Sequence, residues 1–296
     1  MWLSSGMHIS QAHDNNPKEL LTRSQKDALE LLTERAEAYF DKAGKELLLK
    51  PRFNSLLIAP TGSGKTTLAR KLAERLRSAL MIVSCGEWNP LAGREQPATQ
   101  KVLLQKLIEN DRLILLFDEV DKWTSTTDDP WVRYVSAEIW ATLDRRLPVE
   151  SFSKERKLGQ EQIETLHKRI KENVYIVGAG TFEDVFATVC QPTCGFSRNS
   201  REFSDEDILA LIRRRQCVSP ELLSRFSTTP IILRYPGHAE TADLLRRSGL
   251  DVLAMLAGTK IKPEDVDWKG AGMRALEQLA ADLIVKARMQ SVSVPF

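Results

Sequence analysis

The chain of 296 residues lacks any apolar run long enough to span a bilayer, and its N-terminus lacks the basic-then-apolar order of a secretory leader. Both absences point to a cytoplasmic protein without a membrane role. Cysteine is scarce. The four present fall at positions 85, 190, 194 and 217, with no metal-type pair of pairs. Cys190 and Cys194 are close, but no matching Cys/His pair lies at zinc-finger spacing, so they read as ordinary thiols of a reducing compartment. Net charge is nearly missing too. Lys+Arg 42 against Asp+Glu 40 leaves +2, which removes any global basic signal for nucleic acid. No internal repeat is apparent. The 42% hydrophobic content suffices for a substantial core, and the length suggests about two domains.

The chain is organised around the stretch Leu56–Thr67, Leu-Leu-Ile-Ala-Pro-Thr-Gly-Ser-Gly-Lys-Thr-Thr. An apolar run ends in a small-residue loop, and a helical pattern follows through Leu68, Ala69, Leu72, Ala73 and Leu76. The phosphate-loop pattern G-x-x-x-x-G-K-[ST] is met except at its first position, where Ala59 stands for Gly. Ala59, Pro60, Thr61, Gly62, Ser63, Gly64, Lys65, Thr66 and Thr67 are therefore the candidate nucleotide-binding residues. Gly62 and Gly64 let the backbone turn its N–H groups around phosphate oxygens. The helix that follows offers its N-terminus to an anion. Lys65 can reach the β- and γ-phosphates, and the Thr66 hydroxyl can ligate Mg²⁺. A Gly-rich turn alone is often empty; the Lys-Thr pair in a strand–helix setting argues against that.

Residues 1–22 are polar and mixed and read as a loose tail. A helical pattern starts at Ser24, an N-cap candidate with Asp27 at the capping-box position, and carries Ala28, Leu31, Leu32, Ala36, Tyr39 and Phe40. Residues 79–84 form a short buried strand. A helix covers about 98–109, and residues 113–117 form a central strand. That strand runs into Asp118-Glu119-Val120-Asp121-Lys122. Beside a phosphate loop, such an ending is where Mg²⁺ and its waters sit: Asp118 holds the metal shell and Glu119 polarises the attacking water. Alone it would be a solvated acidic turn. Residues 153–172 are a charged helix with a thin apolar stripe. Residues 174–181 are a buried strand ending at Thr181, 205–215 a helix with a basic end, and 231–233 the last strand. Past Pro236-Gly237, two helical stretches, about 241–256 and 273–288, form a small helical region. Its apolar faces are assigned to Leu250, Val252, Leu253, Leu256, Leu276, Leu279, Leu283 and Ile284.

This order of pieces resembles the AAA+ ATPases, and among them the Clp-type unfoldases of the ClpX kind, over about residues 24–288. Ala59 to Thr66 is similar to Walker A, and Leu115 to Asp121 to Walker B. Residues 135–138 and the helix after them resemble the segment that follows Walker B there. Thr181 falls near the sensor-1 position, often Asn in the family, and keeps a hydroxyl able to orient water. Pro220-Glu221-Leu222-Leu223-Ser224-Arg225 resembles the element carrying an arginine finger, which implies that Arg225 reaches a γ-phosphate on a neighbouring subunit. Gly272-Met273-Arg274-Ala275-Leu276 is similar to the start of the sensor-2 helix, with Arg274 bridging a lid to the nucleotide.

The resemblance implies a doubly wound parallel α/β sheet over residues 23–235 and a helical lid over 236–296, with ATP and Mg²⁺ between them. It also implies ATP hydrolysis and a homo-oligomeric ring, a hexamer, that remodels or unfolds a protein client. Two departures stand against full equivalence. The aromatic-Val-Gly grip of a ClpX pore reads Leu91-Ala92-Gly93 here, with Trp88 nearby as a substitute or as core. Neither a zinc-binding N-terminal region nor a clear peptidase-docking Ile-Gly-Phe loop is recognisable. A nucleic-acid-associated ATPase or switch, for instance in a mobile-element or defence system, is the rival. The run Arg213-Arg214-Arg215 and the charged 154–171 segment permit it. An assembly scaffold with slow turnover is the third class.

Overall fold

The computed structural model describes residues 20–43, 46–48, 51–93, 97–122, 129–189, 204–215, 217–226 and 229–292. The tail reading for residues 1–19 and the thiol reading for Cys190 and Cys194 lie outside the described residues. In chain order the elements are α1 (Arg23–Phe40), β1 (Ser55–Ile58), α2 (Lys65–Arg75), β2 (Ala79–Ser84), α3 (Thr99–Glu109) and β3 (Leu113–Asp118). Then come α4 (Pro130–Leu143), α5 (Val149–Arg156), α6 (Gln160–Glu172), β4 (Val174–Gly180), α7 (Glu183–Val189), α8 (Asp205–Arg215), α9 (Pro220–Leu223) and β5 (Ile231–Ile232). The C-terminal helices are α10 (His238–Arg247), α11 (Leu250–Leu256), α12 (Trp268–Ala271) and α13 (Arg274–Val292).

The five strands form one parallel sheet in the order β2-β3-β4-β1-β5. This is the doubly wound α/β architecture expected. β1, β3 and β4 are nearly continuous apolar runs because both of their faces are covered. One face packs on α1 and α2 through Leu29, Leu32, Leu68 and Leu72. The other packs on α3 through α8 through Leu104, Ile139, Phe152, Leu166 and Ile208. Each such fully buried leucine contributes roughly 2 kcal/mol of hydrophobic stabilisation. Tyr175 of β4 is fully buried and shares a 2.7 Å hydrogen bond with Ser55 Oγ; burial pushes its phenol up to about 12.

Several local readings change. Thr22, not Ser24, caps α1: its Oγ1 accepts from Gln25 N, and the Gln25 side chain returns to the Thr22 backbone N–H. Ser24 lies inside the helix and accepts from Arg234 N at 3.2 Å. The Thr-x-x-Gln box out-competes Ser-x-x-Asp because Gln has the length to reach back. β2 is an edge strand, so Ile82 is 39% exposed. The 153–172 segment is two helices, α5 and α6, joined by Lys157 in the left-handed region. The 241–256 helix breaks at Gly249, φ 73°, into α10 and α11. The C-terminal helices share a cluster of Leu244, Leu245, Leu250, Trp268, Leu276 and Leu283, but Val252, Leu256 and Ile284 are exposed rather than buried.

Candidate nucleotide site

Parallel strands all end on one side of the sheet, and β1, β4 and β3 bring three loops together there. The loop after β1 begins with Ala59 N donating to Gly180 O at 3.1 Å. Gly62 and Gly64 have φ 71° and 84°, a conformation in which a side chain is strained. Gly64 is the N-cap of α2 and supplies no side chain, so the N–H groups of the first turn have no capping partner. Lys65 is buried, and among the described residues its Nζ donates to two neutral acceptors, Ala59 O at 3.0 Å and Pro60 O at 3.2 Å. Burial pushes its pKa down; the Asp118 and Asp121 charges oppose that shift. Among the described residues no carboxylate forms a direct ion pair with it. A buried ammonium beside uncapped N–H groups is suited to an anion. Ser63 Oγ is buried and without a partner among the described residues, a further polar atom able to meet a ligand. Thr61 Oγ1 donates to Glu183 Oε1 at 2.6 Å, and Thr67 is exposed on the first turn.

Across β4 lies the acidic side. Thr66 Oγ1 donates to Asp118 Oδ2 at 3.3 Å, so the two predicted Mg²⁺ ligands are neighbours. No group of three or more His, Cys, Asp or Glu is placed to hold a metal among the described residues. One hydroxyl and one carboxylate fit Mg²⁺, which takes few protein ligands and completes its shell with water and phosphate oxygens. Glu119 sits at φ 59°, a left-handed backbone that is uncommon for such a residue. Its Oε2 accepts from Ser84 Oγ at 3.1 Å and its Oε1 from Lys122 Nζ at 2.6 Å. The hydrogen bond from Lys122, above all, holds the Glu119 carboxyl below the usual range and thus ionised.

Thr181, at the end of β4, donates to Asp121 Oδ2 at 2.8 Å, and Phe182 N donates to the same oxygen. A Cβ on Gly180 would lie 2.8 Å from Asp121 Oδ1, so glycine there makes room for the carboxylate. Asp121, Ser84 and Lys122 were not among the predicted site residues. Asp121 could have been found from its position three residues past Asp118; Ser84 needed the register, which sets it opposite Asp118.

The C-terminal helices close on the loop from another side. Met273 N donates to Gly62 O at 2.8 Å. A Cβ on Gly62 would fall 2.1 Å from Ala271 O, and one on Gly272 would fall 2.5 Å from the Gly62 carbonyl carbon. Arg274 opens α13 directly after this contact, and its charge is among those acting on Lys65.

Arg225 is elsewhere. Its carbonyl accepts from Asn54 Nδ2 at 3.0 Å, just before β1 and so at the amino end of the sheet. From Asn54 to Ala59 the strand covers about 15 Å. The Arg225 guanidinium lies over the Trp140 ring, 5.3 Å from its centroid. It also contacts Asp144 at 3.2 Å and donates to Glu221 O at 2.6 Å. The chain therefore does not bring Arg225 to its own phosphate loop. Trp88 is core: it is 7% exposed, stacks on Phe117 with centroids 5.9 Å apart, and donates to Glu138 Oε2 at 3.0 Å. It is not available as an exposed grip.

Residues 55–187 match the family described as ATPase family associated with various cellular activities (AAA). The chain is also 27% identical over 195 residues to the ATP-dependent Clp protease ATP-binding subunit ClpX of Treponema denticola. That stretch is 61% of this chain and 46% of the relative, so the chain spans less than half of the relative's length. Among the described residues no helix is long and apolar enough to cross a membrane. The matched region begins at β1 and takes in the loop, the acidic strand end and Thr181, and over that stretch the chain is similar to AAA ATPases, with a more distant likeness to a Clp-type subunit.

Proposed function

We propose that this site binds ATP with Mg²⁺ and hydrolyses it to ADP and phosphate. The observation that carries the reading is Lys65, a buried ammonium with no carboxylate paired to it among the described residues, set between an uncapped helix N-terminus and the Thr66–Asp118 pair. Gly62 to Thr66 hold the phosphates through backbone N–H groups. Lys65 offsets the charge of the β- and γ-oxygens. Mg²⁺, when bound through Thr66 and Asp118, supplies further charge neutralisation there. Glu119 orients and deprotonates the attacking water, for which it must be ionised, as its contact with Lys122 favours. Thr181 keeps its lone pairs for that water while its proton is engaged by Asp121. Arg274, joined to the loop through the Met273–Gly62 contact, reports nucleotide occupancy to the C-terminal helices over 236–296.

Arg225 completes the site of a second copy. Its place at the amino end of the sheet removes it from its own loop, which favours a homo-oligomeric ring, a hexamer by resemblance. The work of the ring is the remodelling or unfolding of a protein client. The rival nucleic-acid reading draws on Arg213, Arg214 and Arg215, all exposed at the end of α8.

Glu119→Gln tests the chemistry. It is expected to retain ATP binding and to lose turnover by roughly a hundredfold or more. Hydrolysis at the wild-type rate would remove Glu119 from its role. Stimulation of the wild-type rate by unfolded protein supports the first client class. Strong, salt-sensitive stimulation by DNA or RNA selects the second.

A further inference from the structure

Gln25 belongs to α1, 38 residues before the phosphate loop, yet its amide serves both elements. Its Oε1 accepts from Thr22 N at 2.8 Å and closes the helix cap. Its Nε2 donates to Ser63 O at 2.7 Å. The side chain is 4% exposed, and a Cβ on Gly64 would lie 2.6 Å from that same nitrogen. The amide thus lies against the Ser63–Gly64 peptide of the loop. A loop that turns its N–H groups toward an anion leaves carbonyls in need of donors. Gln25 supplies the donor at Ser63, while the N–H groups of the first turn of α2 stay available. The first turn of α1 is also tied to the C-terminal half. Arg23 N donates to the Glu240 carboxylate, and Arg234 N donates to Ser24 Oγ.

We propose that Gln25 is a positioning residue for the phosphate loop: it fixes the Ser63–Gly64 peptide in its anion-receiving shape, and α1 is thereby part of the nucleotide site. The inference rests on the reading of residues 59–67 as an ATP site. The isosteric Gln25→Glu isolates it. The carboxylate still accepts from Thr22 N, and Glu is itself a favoured capping-box residue, so the cap survives. The donor to Ser63 O does not, and a negative charge enters beside the loop. Thr22→Ala does the reverse, weakening the cap while the amide–Ser63 bond remains.

The full chain is titrated with ATP and Mg²⁺ by calorimetry, and each variant is melted without nucleotide. Gln25→Glu is expected to weaken ATP binding roughly tenfold or more, because the carboxylate no longer holds Ser63 O and repels the phosphates, whatever its nucleotide-free melting temperature loses. Thr22→Ala is expected to lower that melting temperature and to leave the ATP Kd within about twofold, as for a lost cap. Gln25→Glu binding ATP as the wild type does would overturn the proposal. Equal losses of ATP affinity in Gln25→Glu and Thr22→Ala would also overturn it, leaving Gln25 a helix cap only. A wild type that binds no ATP ends the site reading itself, an outcome distinct from either.

Discussion

Compare the two ends of the sheet. At the carboxyl end, Lys65 Nζ hydrogen-bonds only to carbonyls among the described residues, Ser63 Oγ is without a partner among them, and the first turn of α2 has no side-chain cap. At the amino end, Arg225 already has a carboxylate, a carbonyl and an aromatic face. One cation is held short of compensation and the other is supplied with it. A residue whose charge is unmet inside its own chain is set for a small anion. One whose charge is met serves a ligand only if that ligand outbids Asp144.

The sharpest way to break this contrast is Lys65→Ala. It removes the unmet charge, and ATP binding measured by calorimetry is expected to fall by about two orders of magnitude, the loss typical of a buried charge-assisted contact. Retained affinity would mean the carboxyl end is not the ligand end. Arg225→Ala is expected to leave ATP binding unchanged and to reduce hydrolysis in the assembled protein by roughly a thousandfold. Mixing it with Lys65→Ala should restore part of the rate, because hybrid rings pair an intact loop with an intact arginine. No restoration would contradict action across subunits. The smallest effect is expected from Lys122→Met. The ion pair keeps the Glu119 carboxyl low, so hydrolysis stays full until the pH drops below the ordinary carboxylate range. Without Lys122 the acid limb of the rate profile should move to higher pH, and only weakly since the pair is solvent-exposed. An unmoved limb would show that Lys122 does not tune Glu119.

The legible parts were those encoded in contiguous residues. Ala59 to Thr67 could be read because a strand, two glycines with positive φ and a helix start are local events. The acidic strand end could be read because β3 is a continuous apolar run that stops at Asp118. Contacts made across the fold were not legible. Gln25 meets Ser63, Ser84 meets Glu119 and Met273 meets Gly62 only after the strands are ordered, and no spacing along the chain encodes that. Periodicity also misled where it met a short helix. Val252 and Leu256 fit an apolar face by pattern, but the break at Gly249 sets α11 apart from α10, and both remain in solvent; Ile284, on α13, is exposed as well.

Phe226, the residue after Arg225, bears on how far the arginine can travel. A Cβ on Gly178 would lie 2.5 Å from its ring, which therefore occupies the notch that glycine leaves in β4. A phenyl group keyed into the central strand pins the main chain beside it, so any stroke by Arg225 is confined to the swing of one side chain. If Arg225 serves a second copy as proposed, it does so as a stationary post, and the approaching site has to carry its phosphate to it.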